Sequence, residues 1–494
     1  MARRSWDLYR ELDPGSDQPL FVQLVAAITD DIVSGRLAPG QRLPGSRTLA
    51  KSLGVHRNTV VAAYAELAAE SWIVSRPAQG TTVAATQPTH LPRALAAPTP
   101  AAAEAGYDLP VAVAPRYHRY PRGTLVLARA APDVRLLPIR ELASAYRRVL
   151  VRHGPSLLFY ADPQGHERLR AQLALMLTST RGVATTAATL IVTRGSQMAV
   201  DLVARTLLRP GDVVAVEALG HPLVWSALRM AGAELAPVAI DRGGLIIDEL
   251  AALVARRKVR ALYVTPHHQF PTNVVMSAER RRALLDLARR HRFAVIEDDY
   301  DHEFHYEARP VAPMASADRA GSVIYLGTLS KLLAPGLRLG FAVAPPAMIE
   351  RMVAVRAAMD LQGDHATECA VAELFEDGEV QRHTRRMRAI YHRRRDVLAA
   401  ALARELGGAL TFEIPAGGMA IWAAVAKSID VEAWVRAAAE RGVAFSGARF
   451  YDLEDRVQPF ARLAFTYLSD TDLVEAVRRM ARALTVPRRV SSRS

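Results

Sequence analysis

From about Thr124 onward, the sequence alternates helical patterns with short apolar runs of the kind found in strands. Strands that alternate with helices build parallel sheets with helices on their faces. The clearest apolar runs begin at Leu190, Val213, Leu262 and Ala294. We therefore expect a large α/β domain with a mostly parallel sheet in this part of the chain.

Lys331 follows another short apolar run in the sequence. The chain contains lysine only at positions 51, 258, 331 and 427, and arginine supplies the remaining positive side chains apart from histidine. An amine condenses with an aldehyde, whereas a guanidinium stays protonated and does not. Lys331 follows two hydroxyl residues, Thr328 and Ser330, and precedes Arg338, which suits a covalent lysine beside a phosphate clamp. A surface lysine in a strand–helix loop is the alternative for this residue taken alone.

The apolar run at 294–301 ends in Glu-Asp-Asp-Tyr-Asp. Acidic groups at the carboxyl end of a strand often bind a metal ion. Strand alternation, however, places Asp298 and Tyr300 on one face and Glu297 with Asp299 on the other. One carboxylate and one phenol are few ligands for a hard cation, so no metal is expected. They suit instead the ring N–H and ring hydroxyl of pyridoxal phosphate.

Two upstream positions also fit a flat cofactor that carries a phosphate. The strand pattern at 190–193 leads into Ser196 and Gln197, where a helix begins and its free N–H groups can bind a phosphate. His221 follows the strand pattern at 213–216, and its imidazole is placed to stack on a ring.

Residues 19 to 84 have a different pattern, which predicts three helices and a hairpin. The first helix is expected to end at Gly35, the second to span 47–53 with Ser46 as its N-cap, and the third to span 57–70. Two short β runs follow, so the pattern is that of a winged helix-turn-helix. The side chains expected on the buried face of the third helix are Val60, Val61, Tyr64 and Leu67.

Polar residues open the third helix, where a recognition helix meets base edges and phosphates. A solvated polar face explains each of them singly but explains the whole arrangement poorly. Arg42 and Arg47 are placed to clamp phosphates, and Gly80 is small enough to approach the DNA backbone. The candidate DNA-binding residues are Arg42, Ser46, Arg47, His56, Arg57, Asn58, Thr59 and Gly80.

Composition limits the remaining classes of protein. The formal net charge of +13 favours anionic partners such as DNA or phosphorylated cofactors, although an arginine-rich chain reaches this charge without binding nucleic acid. The single cysteine, Cys369, excludes an intramolecular disulfide and a cysteine-cluster metal site. No secretory signal pattern opens the chain, and no apolar run approaches the roughly 20 residues of a membrane helix. We therefore expect a cytoplasmic protein.

The segment 86–117 is rich in proline, alanine and threonine and has little periodicity. It is expected to be a semi-extended linker. The expected domains are thus a DNA-binding domain at 15–85 and a cofactor-binding domain at 118–485.

Motifs in both domains resemble known families. The segment 35–47, Gly-x-Leu-x-Pro-Gly-x-Arg-Leu-Pro-x-Ser-Arg, resembles the GntR-type winged helix-turn-helix. Asp298-x-Tyr300 followed by Ser-Lys331-x6-Arg338 is similar to the fold-type I aminotransferases. Together they resemble the MocR subfamily of bacterial transcription regulators.

This resemblance implies a pyridoxal phosphate cofactor and roles for several residues. Lys331 would form the internal aldimine, and Arg462 would bind the α-carboxylate of a ligand, with Arg449 as the rival. The resemblance also implies a homodimer in which Tyr160 reaches the phosphate of the neighbouring subunit. The residues implied around the phosphate are Arg338, Thr328, Ser330, Ser196 and Gln197.

Two positions depart from the family pattern. Asn273 stands where the family usually has glycine, and asparagine tolerates the left-handed backbone better than most residues. His221 replaces the more usual aromatic residue at the ring-stacking position.

The leading hypothesis is a transcription regulator that binds double-stranded DNA and senses an amine or an amino acid through pyridoxal phosphate. Sensing of pyridoxal phosphate itself is a variant of this hypothesis. The alternative is an active aminotransferase with an accessory DNA-binding domain, because the residues needed for catalysis are all present.

Overall fold

The computed structural model describes residues 12–16, 18–76, 79–86, 107–108, 120–307 and 311–484. Its contacts divide the chain into two compact units, Met1–Pro110 and Val111–Ser494. Most of the expected linker, 86–117, lies outside the described residues. Within those residues, no helix is both long and apolar enough to cross a bilayer.

The amino-terminal unit has the predicted three helices and hairpin. Its core includes Leu24, Val60 and Leu67, one from the first helix and two from the third. The segment before the second helix pairs with the hairpin, since Leu43 N–H donates to the Thr81 carbonyl (2.8 Å), and this pairing fixes the wing to the helices. The elements are α1 (Leu20–Val33), α2 (Ser46–Leu53), α3 (Arg57–Ala69), β1 (Ile73–Arg76) and β2 (Gly80–Val83).

Two predictions for this unit are wrong in detail. Ser46 is the first residue of α2 rather than its N-cap, because Gly45 takes the extended N-cap backbone and its carbonyl accepts from Leu49 N–H (3.0 Å). Val61 is 45% exposed, whereas Val60 is fully buried. Adjacent helical residues lie about 100° apart around the axis, so both valines cannot face the core.

The carboxyl-terminal unit contains many more elements. Its first half consists of β3 (Leu125–Val126), α4 (Ile139–Leu157), α5 (Glu167–Arg181), β4 (Leu190–Thr193), α6 (Ser196–Leu207), β5 (Val213–Glu217), α7 (Pro222–Met230), β6 (Glu234–Val238), β7 (Ile240–Asp241), β8 (Gly244–Leu245), α8 (Ile247–Arg256), β9 (Val259–Val264), α9 (Ala278–His291) and β10 (Ala294–Asp299). Its second half consists of α10 (Met314–Ala317), β11 (Val323–Thr328), β12 (Gly340–Val343), α11 (Pro346–Met359), α12 (His365–Glu376), α13 (Glu379–Leu406), β13 (Leu410–Phe412), β14 (Ala420–Val425), α14 (Val431–Glu440), β15 (Val443–Ala444), β16 (Ser446–Gly447), β17 (Phe460–Ala464) and α15 (Asp470–Leu484).

A seven-stranded sheet forms the centre of this unit, in the order β4-β12-β11-β10-β9-β5-β6. β12 is antiparallel to both neighbours, and the other pairings are parallel. β5 and β11 are buried along their whole length, as expected for strands covered on both faces. The carboxyl ends of β9, β10 and β11 therefore lie side by side at one edge of the sheet.

A smaller antiparallel sheet has the order β13-β14-β17-β16. β17 is an inner strand of this sheet. Arg462, near its centre, pairs with Trp422 of β14 on one side and with Ser446 of β16 on the other. Pairing on both sides holds the backbone at Arg462 rigidly.

Asn273 adopts the left-handed backbone expected at the position of a family glycine, with φ +63°. Its N–H donates to the Gln269 carbonyl (2.7 Å), and its side-chain amide donates to the Ala420 carbonyl. Asparagine therefore preserves this turn and also ties it to the smaller sheet.

The adjacent valines of α3 provide a matched test of the core. Val60→Ala should destabilise the amino-terminal unit by about 1–3 kcal/mol, because it removes buried methyl groups and leaves a cavity. Val61→Ala is the control and should cost about 0.5 kcal/mol or less. Hydrogen exchange of the α3 amides in the full chain measures both values, and equal effects would contradict the assigned burial.

Candidate functional site

A cavity of about 460 Å³ lies at the carboxyl ends of β9, β10 and β11. The start of α6 and the smaller sheet complete its wall. With the exception of Tyr160, the sequence-predicted cofactor residues meet here, together with Arg462. The predicted residues in the wall are Ser196, Gln197, His221, Asp298, Tyr300, Thr328, Ser330, Lys331, Arg338 and Arg462.

Lys331 lies half-buried in this wall, three residues after β11. Its Nζ donates to the carbonyl oxygen of Ala130 (2.6 Å). Withdrawal from water lowers the pKa of Lys331 to about 8, and the nearby Arg462 cation acts in the same direction. A larger share of this amine is therefore neutral at neutral pH than of an exposed lysine, and the neutral amine is the nucleophilic form.

Asp298 lies at the end of β10, on the cavity side. Burial raises the pKa of Asp298 to about 7, against the opposing effects of the Tyr263 hydrogen bond and the Lys331 cation. Tyr263 O–H donates to Asp298 Oδ2 (2.6 Å), and Oδ1 has no partner in the described part of the chain. The free oxygen can accept one hydrogen bond from a ligand. No sequence pattern had indicated a role for Tyr263.

Hydroxyls and a helix start form a polar corner of the cavity. Thr328 Oγ1 accepts from Ser330 N–H (3.1 Å), while Ser330 Oγ is buried without a partner among the described residues. Arg338 closes this corner, and its Nη2 donates to the Arg194 carbonyl (2.7 Å). Gly340 permits the close packing here, since a Cβ at that position would lie 2.6 Å from the Gly195 carbonyl carbon. The corner offers hydroxyl, guanidinium and helix N–H donors, which suit a phosphate.

His221 occupies the predicted ring-stacking position at the start of α7. Its ring centroid lies 4.9 Å from that of Phe270, and the two planes are tilted by 42°. Burial lowers the pKa of His221 to about 4, with contributions from Lys331 and Arg462. The imidazole is therefore neutral at physiological pH and can pack on a flat ring without adding charge.

The two candidate carboxylate-binding arginines have different surroundings. Arg462 is 2% exposed, its Cζ lies 4.7 Å from the ring centroid of Phe270, and its Nε has no hydrogen-bond partner within the described ranges. Arg449 is exposed and lies outside the cavity wall. This placement favours Arg462 as the residue available to a ligand inside the cavity.

Tyr300 and Tyr160 are placed differently. Tyr300 lines the cavity, but its O–H donates to the His268 carbonyl (3.0 Å). Tyr160 is 75% exposed and is not part of the cavity wall within one chain. Its role at a neighbouring subunit stays a prediction.

Glu297 and Asp299 lie on the face of β10 opposite Asp298, as the predicted alternation of side chains requires. Glu297 accepts hydrogen bonds from the Met314 and Ala315 N–H groups (2.8 and 2.9 Å). Asp299 Oδ2 accepts from His302 Nδ1 (2.8 Å) and from the hydroxyl of Tyr325 (2.6 Å). Neighbouring acids of this strand thus belong to two separate polar groups on opposite faces.

The predicted DNA-binding residues lie at the starts of α2 and α3 and around the hairpin. His56 caps α3, since its Nδ1 accepts from Asn58 N–H (3.2 Å). Arg42 packs against the hairpin turn, where a Cβ at Gly80 would lie 3.1 Å from its guanidinium. Ser46 and Thr59 are half-buried. The exposed residues of the set are Arg42, Arg47, His56, Arg57, Asn58 and Gly80.

The cavity residues fit pyridoxal phosphate on observations independent of the motifs. Asp298 Oδ1 and Ser330 Oγ are buried and lack partners among the residues described, so they match a ring N–H and a phosphate oxygen. Lys331 provides the amine for an aldehyde in the same cavity.

Each of the two units matches a known protein family. The family "Aminotransferase class I and II" matches residues 129–488, and "Bacterial regulatory proteins, gntR family" matches residues 20–83. The chain is 34% identical over 440 residues to the "Probable rhizopine catabolism regulatory protein MocR" of Rhizobium meliloti, covering 88% of this chain and 87% of that protein. It is 31% identical over 494 residues to the "HTH-type transcriptional regulator TauR" of Rhodobacter capsulatus, covering 96% and 98%.

Solved structures match the carboxyl-terminal unit. LysN, an α-aminoadipate aminotransferase from Thermus thermophilus, superposes with a TM-score of 0.69 at 30% identity, covering 74% of this chain and 92% of LysN. The chain thus combines a winged helix-turn-helix with a fold-type I aminotransferase domain. It belongs to the MocR-type subfamily of the GntR family of bacterial transcription regulators.

Proposed function

We propose that this regulator binds pyridoxal phosphate through Lys331 and uses the cofactor to sense an amine or an amino acid. The observation that carries the proposal is the meeting of three groups in one cavity. These are the Lys331 amine, the Asp298 Oδ1 that has no partner among the described residues, and the buried Arg462 guanidinium. Each has the chemistry that a different part of the cofactor or ligand requires.

Different side chains of the cavity would bind different parts of the cofactor and the ligand. When bound, pyridoxal phosphate supplies an aldehyde that bonds reversibly to amines. Asp298 Oδ1 accepts the ring N–H, and the Ser330 hydroxyl, the start of α6 and Arg338 hold the phosphate. Arg462 binds the ligand carboxylate, since a buried guanidinium pairs with carboxylates bidentately.

Effector binding would displace Lys331. An effector amine would compete with Lys331 Nζ for the aldehyde that the bound cofactor would supply. The displaced Nζ has an acceptor within reach, the Ala130 carbonyl, to which it donates here at 2.6 Å. This contact lowers the cost of releasing the amine, because a buried ammonium or amine needs a hydrogen-bond partner.

We also infer a homodimer that binds two DNA half-sites. Leu158, Phe159 and Tyr160 form an exposed run with more than two thirds of each side chain open to solvent. Exposed large apolar residues in sequence are typical of interaction surfaces. A ligand that alters the dimer would regulate DNA binding only if it binds the two arrangements with different affinity.

An active aminotransferase is the second candidate, supported by the likeness to LysN and by the complete set of amine, acid and arginine in the cavity. Turnover of a panel of amino donors with 2-oxo acids, alongside footprinting of retained genomic DNA, separates the two. Fast turnover without any DNA footprint would contradict the regulator. A footprint that responds to pyridoxal phosphate alone identifies the cofactor as the signal.

Lys331→Ala tests covalent attachment of the cofactor. It should abolish the link to pyridoxal phosphate that borohydride reduction makes permanent. The described residues of the cavity wall include no other side-chain amine that could replace Nζ. Lys258→Ala, an exposed lysine, is the matched control and should keep the link. Peptide mass spectrometry after reduction locates the label, and a label that persists in Lys331→Ala would overturn the assignment.

The pH dependence of attachment tests the low pKa of Lys331. The rate of capture of pyridoxal phosphate should rise with pH through about 8, because the neutral amine reacts. Arg462→Leu removes a cation that lowers this pKa, so the midpoint should move to higher pH. Arg449→Leu is the control and should leave it unchanged. Stopped-flow absorbance measures the rates, and a midpoint insensitive to Arg462 would count against the electrostatic coupling.

Arg57→Ala tests the DNA-binding surface. It should weaken binding of a retained genomic duplex by about 1–3 kcal/mol and, if Arg57 contacts a phosphate, reduce the salt slope by about 1. Arg289→Ala, which removes another exposed arginine, from α9 in the other unit, controls for the loss of one charge. Fluorescence anisotropy at several salt concentrations measures both, and identical losses would indicate a nonspecific charge effect.

A further inference from the structure

A buried cluster of two histidines and one aspartate lies outside the cofactor cavity. One ligand atom from each of His267, Asp299 and His302 lies within 4.8 Å of the other two. These side chains are 4%, 3% and 4% exposed. Asp299 points to the face of β10 opposite Asp298, and none of the three lines the cofactor cavity.

His267 is a buried imidazole that forms no hydrogen bond with the described residues. Neither Nδ1 nor Nε2 has a partner in the described part of the chain, and Asp299 Oδ1 also lacks one. A neutral imidazole has one donor and one acceptor nitrogen, and buried polar groups of this kind are nearly always paired. The neighbouring His268 does not satisfy it, because His268 Nδ1 bonds to Asp301 (2.7 Å).

A purely structural role accounts for the burial of His302 and Asp299, but not for that of His267. His302 bonds to Asp299, and Tyr325 O–H donates to the same carboxylate, so these side chains are held in place. His267 instead stacks on His302, with ring centroids 4.5 Å apart and planes tilted by 26°. The stacking leaves both of its nitrogens available, which the structural role does not explain.

The charges around the cluster are compatible with a cation. Arg181 Nη1 lies 3.8 Å from Asp299 Oδ2, but Arg181 is also paired with Glu303. Arg281 is occupied by the carbonyls of Met276 (3.0 Å) and Pro266 (2.7 Å). Both guanidiniums thus bond to other groups, and Asp299 Oδ1 is the carboxylate oxygen left without a partner among the described residues.

We propose that His267, Asp299 and His302 form a binding site for a divalent first-row transition metal of the zinc class. Two imidazoles and one carboxylate are a known zinc ligand set that leaves a coordination position open. His302 also borders a second cavity of about 830 Å³, together with Glu303, His305 and Arg388. This cavity provides an entry path and room for water or a small ligand as the fourth group.

The proposed site departs from the sequence prediction that the acidic run at 297–301 binds no metal. That prediction followed from the small number of ligands on the face of Asp298 and Tyr300, whereas the proposed site uses Asp299 on the opposite face. The histidines at 267 and 302 come from the loops after β9 and β10, and they meet only because these strands are parallel neighbours.

Zinc titration of the metal-free full-length chain tests the proposal, with a chromophoric chelator as competitor. One Zn²⁺ should bind per chain, and His267→Gln or His302→Gln should weaken binding by about 100-fold or more. His291→Gln, which removes an exposed imidazole of α9, is the matched control. Binding should persist in Lys331→Ala, which separates this site from the cofactor. Equal affinity in all variants would overturn the proposal.

X-ray absorption of the zinc-loaded unmodified chain keeps the test independent of variant folding. Two imidazole ligands, oxygen ligands and no sulfur are expected, since the single cysteine lies in α12. Coordination by sulfur, or by fewer than two imidazoles, would contradict the site, as would less than one tightly bound Zn²⁺ per chain.

Discussion

Parallel pairing of β9, β10 and β11 is the constraint on which both polar groups of the large unit depend. It brings the carboxyl ends of three strands to one edge, so residues distant in sequence become neighbours. Side chains alternate along β10, and Asp298 and Asp299 therefore serve opposite faces. The end of β10 thus supports the Lys331 cavity on one side and the histidine cluster on the other.

Burial then sets the protonation states in the cavity. The same withdrawal from water lowers the pKa of Lys331 and His221 and raises that of Asp298. In each case the neutral form gains relative to the charged form. Arg462 adds a guanidinium to the cavity wall, and this group carries a positive charge at physiological pH. The cavity therefore combines an amine of adjustable charge with one permanent cation, a pairing that suits ligands carrying both an amine and a carboxylate.

Sequence patterns predicted the architecture and ten residues of the cavity wall, because Ser330-Lys331, the nearby hydroxyl of Thr328 and Asp298-x-Tyr300 are local signals. They missed the Tyr263–Asp298 and Lys331–Ala130 contacts, which depend on strand register and on loop placement across more than thirty residues. Alternation alone could have placed Tyr263 of β9 and Thr265, the residue after this strand, on one face, but not beside Asp298. The errors at Ser46 and Val61 have a different origin, since helix limits and the width of an apolar face are set by packing.

The division of the cavity between two sheets has a consequence for ligand length. Lys331 follows a strand of the seven-stranded sheet, whereas Arg462 belongs to the four-stranded one. A ligand bound at both Lys331 and Arg462 must span the distance between these sheets. Hydrogen bonds on both sides of β17 keep that distance nearly constant. The number of carbon atoms between the amino group and the carboxylate of a ligand would then decide whether it reaches both Lys331 and Arg462. Amino acids that differ in this number would bind with different affinities, whatever their side chains.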